Sequence, residues 1–248
     1  MSRILLEVCV DDAAGLAAAR VGGADRVELC AALALGGLTP SAGLMALAKD
    51  AGLPVMAMIR PRAGDFVWSP EERSAMLAEI GAARAMGLAG VVIGASRPDG
   101  RLDIEVLAEQ VAAARGLDIT LHRAIDLTPD PAAAMRQVAA LGIGRVLSSG
   151  GARSALEGIA RLRAMAEAAP EVTVMPGGGV SAGNAAEFAN QPGLREIHAS
   201  CSLPQPAPAL PQVAAFGFQP PGARATDAGQ VRALRAALDQ IGASRPAG

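Results

Sequence analysis

Two copies of the pattern Glu-x-Cys, Glu7-Val8-Cys9 and Glu28-Leu29-Cys30, hold two of the three cysteines in the chain. A thiolate is a soft ligand suited to Cu(I), and Met56 or Met58 could add a thioether. Free cysteine is also among the most buried residue types and then behaves as a small hydrophobe. No Cys-x-x-Cys or His-x-His spacing backs the metal reading of Cys9 and Cys30. A second set of reactive side chains is marked by where it falls. The two histidines of the chain, His122 and His198, lie in short apolar runs, together with Glu7, Glu28, Arg60, Arg123, Asp126, Ser148, Ser149 and Ser200. An ionisable group in such a run must be paired, ligated or set near an opening to solvent. Histidine works as acid, base or hydrogen-bond donor near neutral pH, so Glu7, His122, Asp126 and His198 are the candidate catalytic groups.

Each of these residues also has a structural reading. Glu7 and Glu28 could pair with Arg26 or Arg60 and lock neighbouring strands. The histidines could be satisfied core residues, and Arg123 could be a sheet-to-helix ion pair. Asp126 could cap a helix beginning near Thr128.

Anion binding is suggested by two glycine-rich turns, Ser148-Ser149-Gly150-Gly151 and Met175-Pro176-Gly177-Gly178-Gly179-Val180. Glycine lets backbone N–H groups approach an anion, and a following helix N-terminus adds its dipole. Arg60 and Arg62 flank Pro61 and offer bidentate donors. The candidate anion-binding residues are therefore Arg60, Arg62, Ser149, Gly177, Gly178, Gly179 and Ser200, and the expected ligand is a small anionic or phosphorylated metabolite. The segment Pro61–Ser69, with Phe66 and the single Trp, reads as a lid or as an anchored surface or oligomer contact.

The elements that must position these groups form a repeating series. Short apolar or β-branched runs recur at Ile4–Val10, Arg26–Cys30, Val55–Pro61, Val91–Ala95, Ile119–Ile125, Arg145–Ser149, Val172–Met175 and Glu196–Ser200. Their nearly continuous apolar character suits strands covered on both faces. Ala-rich stretches between them are long enough for helices. Most end in a glycine just before the next strand, as at Gly23, Gly52, Gly87, Gly116, Gly142 and Gly193, where a left-handed residue stops a helix. Helix starts are predicted at the capping-box spacings Ser69–Glu72 and Ser154–Glu157, and at Thr39-Pro40 and Thr128-Pro129. Strands alternating with helices point to a parallel sheet. A (β/α)8 barrel is expected, with an open doubly wound sheet as the alternative. The Pro-rich stretch Leu203–Pro221 reads as a surface crossing and Thr226–Ile241 as the last helix. No linker divides the 248 residues, so a single domain is expected.

Composition narrows the function classes. Aromatics are 2% of the chain and Tyr is absent, which leaves few platforms for stacking bases. The formal net charge is −2 and basic residues do not form blocks, so no nucleic-acid partner is expected. Sparse cysteine argues against a disulfide framework. Glu7, Asp11 and Asp12 interrupt any signal-peptide pattern, and no run of ~18 uncharged apolar residues suggests a membrane span.

The sequence resembles the CutC family, the so-called copper homeostasis proteins, over essentially its whole length. The resemblance is carried by ordered blocks: Leu6-Glu-Val-Cys-Val-Asp11, Gly23-Ala-Asp-Arg-Val-Glu-Leu-Cys30, Gly36-Gly-Leu-Thr-Pro-Ser41, Val55-Met-Ala-Met-Ile-Arg-Pro-Arg62, Gly64-Asp-Phe66, Leu121-His-Arg-Ala124, Pro176-Gly-Gly-Gly-Val180 and Glu196-Ile-His-Ala-Ser200. It implies a (β/α)8 barrel, a cytoplasmic location and a homo-oligomer. It also implies Cu(I) as a ligand of Cys9 and Cys30, and a polar mouth at Glu7, Arg60, His122, Asp126, His198 and Ser200. Two departures from the family pattern stand out: Ala63 replaces a glycine, and Ile125 replaces the phenylalanine before Asp126.

Overall fold

The computed structural model describes residues 3–244. Eight strands form one parallel sheet: β1 (Leu5–Val10), β2 (Arg26–Leu29), β3 (Val55–Met58), β4 (Gly90–Ile93), β5 (Asp118–Leu121), β6 (Arg145–Ser148), β7 (Thr173–Pro176) and β8 (Glu196–Ala199). Each strand lies beside its predecessor, and β8 returns to pair with β1. The remaining edges, β7 and β8, lie against each other, so the sheet curls into a nearly closed (β/α)8 barrel rather than an open sheet. The intervening helices are α1 (Ala13–Gly22), α2 (Ala42–Lys49), α3 (Pro70–Ala85), α4 (Ile104–Ala113), α5 (Pro131–Ala140) and α6 (Ile159–Ala168). A short 3₁₀ turn, Ala185–Phe188, takes the helix's place between β7 and β8. The crossing after β8 holds β9 (Ser202–Pro204), the five-residue α7 (Pro211–Ala215) and β10 (Arg224–Thr226), which pairs antiparallel with β9. Helix α8 (Ala228–Ser244) packs on α1.

Local chemistry sets the boundaries. Gly23 caps α1 at φ 89°, and Gly52, Gly87, Gly116, Gly142 and Gly193 also take positive φ. The capping box at Ser69–Glu72 starts α3. Three other predicted starts move. The Ser41 hydroxyl accepts the Leu44 amide, so α2 begins at Ala42 and Pro40 precedes it. The Asp130 carboxylate accepts the Ala133 amide, so Pro131 rather than Pro129 opens α5. Ser154 accepts the Glu157 amide inside a turn, and α6 begins only at Ile159. The run expected to be strand through Ile125 leaves the sheet at Leu121. There the Ala124 amide donates to His122 Nδ1 at 3.1 Å and a 3₁₀ helix, Arg123–Leu127, follows.

The strands do not bury two apolar faces. Leu6, Val8, Val10, Val27, Leu29, Val55, Ala57, Val91, Ile93, Val146, Val174 and Ile197 belong to the large core shared with the helices. Each fully buried Val, Leu or Ile side chain among them contributes roughly 1.5–3 kcal/mol. The alternate positions fill the barrel. A small apolar group there, Cys30, Met56, Met58 and Val92, stands apart from the main core. Most of the rest of the interior is polar and buried: Glu7, Arg26, Glu28, Thr120, Glu196 and His198.

Candidate functional site

A cavity of about 280 Å³ lies over the C-terminal ends of the strands, lined by Cys9, Glu28, Met58, Arg60, Phe66, His122, Arg123, Leu147, Gly178, Gly179, His198 and Ser200. Its polar walls rest on a chain of charges that descends through the barrel. His198 Nδ1 meets Glu7 Oε1 at 2.8 Å, and Arg26 Nε donates to Glu7 Oε2 at 2.5 Å. Arg26 also donates to Glu196, which pairs with Arg145 at 2.7 Å, and Arg145 pairs with Asp118 at 2.8 Å. The parallel register explains the grouping. Glu7 stands opposite His198 on one side and Arg26 on the other, while Glu196, Arg145 and Asp118 each open their strand.

This network sets the charge states. Burial alone would raise the Glu7 carboxyl, but the His198 hydrogen bond and the Arg26 charge hold it at about 2. Burial would likewise discharge His198, yet the negative potential of Glu28, with Cys9 and Glu7 beside it, drives the imidazole well above its ordinary value. Burial raises Glu28, only partly opposed by the charge of His198. Glu7, expected to exchange protons, therefore sits behind His198 as its fixed anionic support. Glu28 and His198 face the pocket, with Glu28 Oε2 at 3.8 Å from His198 Nε2.

His122 is different. Its desolvation and the nearby Arg60 charge lower it to about 3, so it is neutral. With Nδ1 accepting from Ala124, the proton rests on Nε2, a buried donor with no partner among the described residues. The ring stacks on Phe66 at 4.7 Å, and a Cβ at Gly94 would stand 2.1 Å from its Cε1.

The arginines divide the work. Arg60 donates to the Leu35 and Gly37 carbonyls at 2.9 Å and to the Gly64 carbonyl at 3.0 Å. It is 6% exposed, and among the described residues no carboxylate pairs with it. Arg62 instead pairs with Glu72 at 2.5 Å and Asp65 at 2.9 Å, and its guanidinium lies 5.0 Å from the Trp68 ring centroid. It ties down the segment 61–69 outside the cavity. Trp68 Nε1 and the Ser96 amide fasten the same segment, through the Gly94 and Phe66 carbonyls.

The two glycine turns also part company. Asp126 accepts from Arg123, the Ser148 and Ser149 hydroxyls, and the Ser149 and Gly151 amides. The protein's own carboxylate thus occupies the first turn, holding Ser149 and Asp126 outside the cavity wall. The Gly177 amide is committed to the Ser148 carbonyl at 2.9 Å. Gly178 and Gly179 line the cavity, and among the described residues no protein group accepts from their amides. Ser200 lines it as well and shares a 3.0 Å hydrogen bond with Ser202.

The cysteines are not placed as an isolated pair. Cys9, Glu28 and His198 each bring one ligand atom within 4.8 Å of the others. Cys30 is not in that trio. Its thiol donates to Glu28 Oε2 at 3.6 Å, and burial pushes it well up. Sequence reasoning gave too little weight to Glu28 and Arg123 as pocket residues. Arg123 directly follows His122, which was the available signal. Gly94 left no signal beyond its place in a strand run.

A (β/α)8 barrel with a polar pocket at the C-terminal strand ends is the class that this fold and site define. The model of the CutC family matches residues 4–203, and the chain belongs to the CutC family. It is 50% identical over 244 residues to a CutC family protein of Sinorhizobium medicae (strain WSM419), covering 98% of this chain and 99% of that one. A CutC protein of Streptococcus agalactiae, named for copper homeostasis, superposes with a TM-score of 0.75 at 32% identity, over 79% of this chain and 98% of that one. A 4-hydroxy-2-oxoglutarate/2-dehydro-3-deoxyphosphogluconate aldolase superposes with a TM-score of 0.55 at 22% identity, over 94% of each chain, and shows the fold alone.

Proposed function

We propose that the chain is an enzyme that binds a small anionic metabolite, carrying a carboxylate or phosphate, in the mouth cavity and moves a proton there. The observation that carries this reading is Arg60, a buried cation beside the cavity that stacks on Phe66 and whose hydrogen-bond partners among the described residues are all neutral carbonyls. A buried charge without a counter-charge is costly, and an anionic ligand would relieve it. Arg123 and the Gly178 and Gly179 amides stand ready to share the anion, and neutral His122 offers Nε2–H to a polar oxygen. Glu28 and His198 are the acid–base pair: burial raises Glu28, and the negative charge of Glu28 raises His198 against its own burial. A thermal-shift screen of small phosphorylated and carboxylated metabolites tests this. A hit should raise the melting temperature, and Arg60→Ala should abolish the shift. A broad screen without any hit would count heavily against the reading.

Copper handling is the second reading, supported by the family's copper homeostasis name and by Cys9 beside His198. A two-thiolate Cu(I) site at Cys9 and Cys30 fits the arrangement poorly, because Cys30 lies outside the trio and is held as a thiol. Titrating reduced protein with Cu(I) against a competing chelator decides the matter. Unchanged affinity in the Cys9→Ser, Cys30→Ser double variant removes this reading.

A further inference from the structure

We propose that Cys9, Glu28 and His198 form a site for one divalent metal ion of borderline softness, of which Zn²⁺ is the best fit. The three side chains come from adjacent strands of the barrel. Cys9 and Glu28 are register partners across β1 and β2, and His198 arrives from β8 on the other side of β1. One ligand atom from each lies within 4.8 Å of the others, and all three residues are buried.

Two independent features mark the trio as built to bind. Glu28 Oε1 is buried and, among the described residues, has no hydrogen-bond partner, an arrangement that a cation would satisfy. Behind His198, Glu7 holds Nδ1 at 2.8 Å and Arg26 in turn holds Glu7, so Nε2 is aimed away from the support. A carboxylate behind a ligating histidine is the usual outer partner of a metal-bound imidazole.

The donor set selects the ion. One sulfur, one nitrogen and one oxygen match Zn²⁺ with three protein ligands, leaving a fourth position for water or substrate. Cu(I) favours a softer set. Binding displaces the Cys9 thiol proton and the His198 Nε2 proton to solvent, and the thiolate and the carboxylate then balance the dication. All three residues line the cavity that Arg60 also lines, so a bound ion would be reachable from it. This does not rest on the anion-binding reading, because the metal test uses no metabolite. It replaces the acid–base role of Glu28 and His198, which as ligands would no longer exchange protons, and leaves the anion contacts of Arg60 unchanged, so either reading can fail alone.

The test is titration of reduced, chelator-stripped protein with Co²⁺, followed by absorption, and with Zn²⁺, followed by calorimetry. We expect one ion per chain and an intense thiolate-to-cobalt charge-transfer band. Cys9→Ser should remove that band, and Glu28→Gln or His198→Gln should weaken Zn²⁺ binding at least ~10-fold. Cys30→Ser should leave both readouts unchanged. Absence of saturable binding by the unmodified protein overturns the proposal, a result that no folding defect in a variant can mimic. So does a band that survives Cys9→Ser or is lost in Cys30→Ser.

Discussion

His198 and Glu7 meet across neighbouring strands at 2.8 Å, with the imidazole's Nδ1 against a carboxylate that never reaches the cavity. Within this one short contact Glu7 holds the imidazole from behind, and His198 Nε2 is left to face Glu28 and the cavity. In Glu7→Gln the shape is kept but the anchoring charge is lost. Zn²⁺ affinity measured by calorimetry should fall about 10- to 100-fold, while Cys9 and Glu28 remain in place.

His122 should give the protein a pH-dependent stability that belongs to the mouth. Its folded value of about 3 lies below the ordinary value of 6.5. Between these values the unfolded chain takes up a proton that the folded chain refuses. The stability from neutral His122 is therefore complete above about pH 6.5 and is lost as pH falls toward 3, with a slope approaching ~1.4 kcal/mol per pH unit. Urea unfolding across this range should show the slope. His122→Asn, which keeps an acceptor for the Ala124 amide, should flatten it.

Asp126 should behave as a clamp. Burial would raise its carboxyl, but Ser148, Arg123 and the turn amides outweigh it and lower the value. Its stabilising contribution is present above the ordinary carboxylate value and fades as pH drops through the lowered one. Asp126→Ala should cost about 3 kcal/mol in denaturant unfolding at neutral pH. A loss near zero would show that the turn after β6 holds itself.

Gly94→Ala should disturb the pocket from beneath. The new methyl would stand 2.1 Å from His122 Cε1, which a ring packed on Phe66 cannot accommodate in place. We expect a stability loss of about 1–3 kcal/mol and loss of any ligand-induced thermal shift. Retention of both would place His122 outside the binding surface.

The barrel was legible because glycine stops and apolar runs are local signals. What was not legible was which way each strand residue faces. Glu7, Arg26 and Glu196 look like interruptions in apolar runs, and only the register reveals that they meet. Arg62 and Asp126 carry the right chemistry for an anion or a proton, yet each finds partners within a few residues in space. Spacing cannot say whether a charge is already spent. Arg60 and Arg62 are separated by one residue, and only one of them lacks a carboxylate.

The descending line of ions has a consequence for how the molecule tolerates change. Glu196 lies between Arg26 and Arg145, so its loss would leave Arg26 with Glu7 alone and Arg145 with the exposed Asp118 alone, a defect of about 3 kcal/mol in a dry interior. Because the same line ends at His198, the closed floor and the open rim share one electrical circuit. A substitution at Arg145 should alter proton affinity at His198 although the two residues make no direct contact. A double-mutant cycle between them should give a non-zero coupling energy. Drift at the floor is thus restrained by the chemistry at the rim, and neither end of this barrel can be redesigned alone.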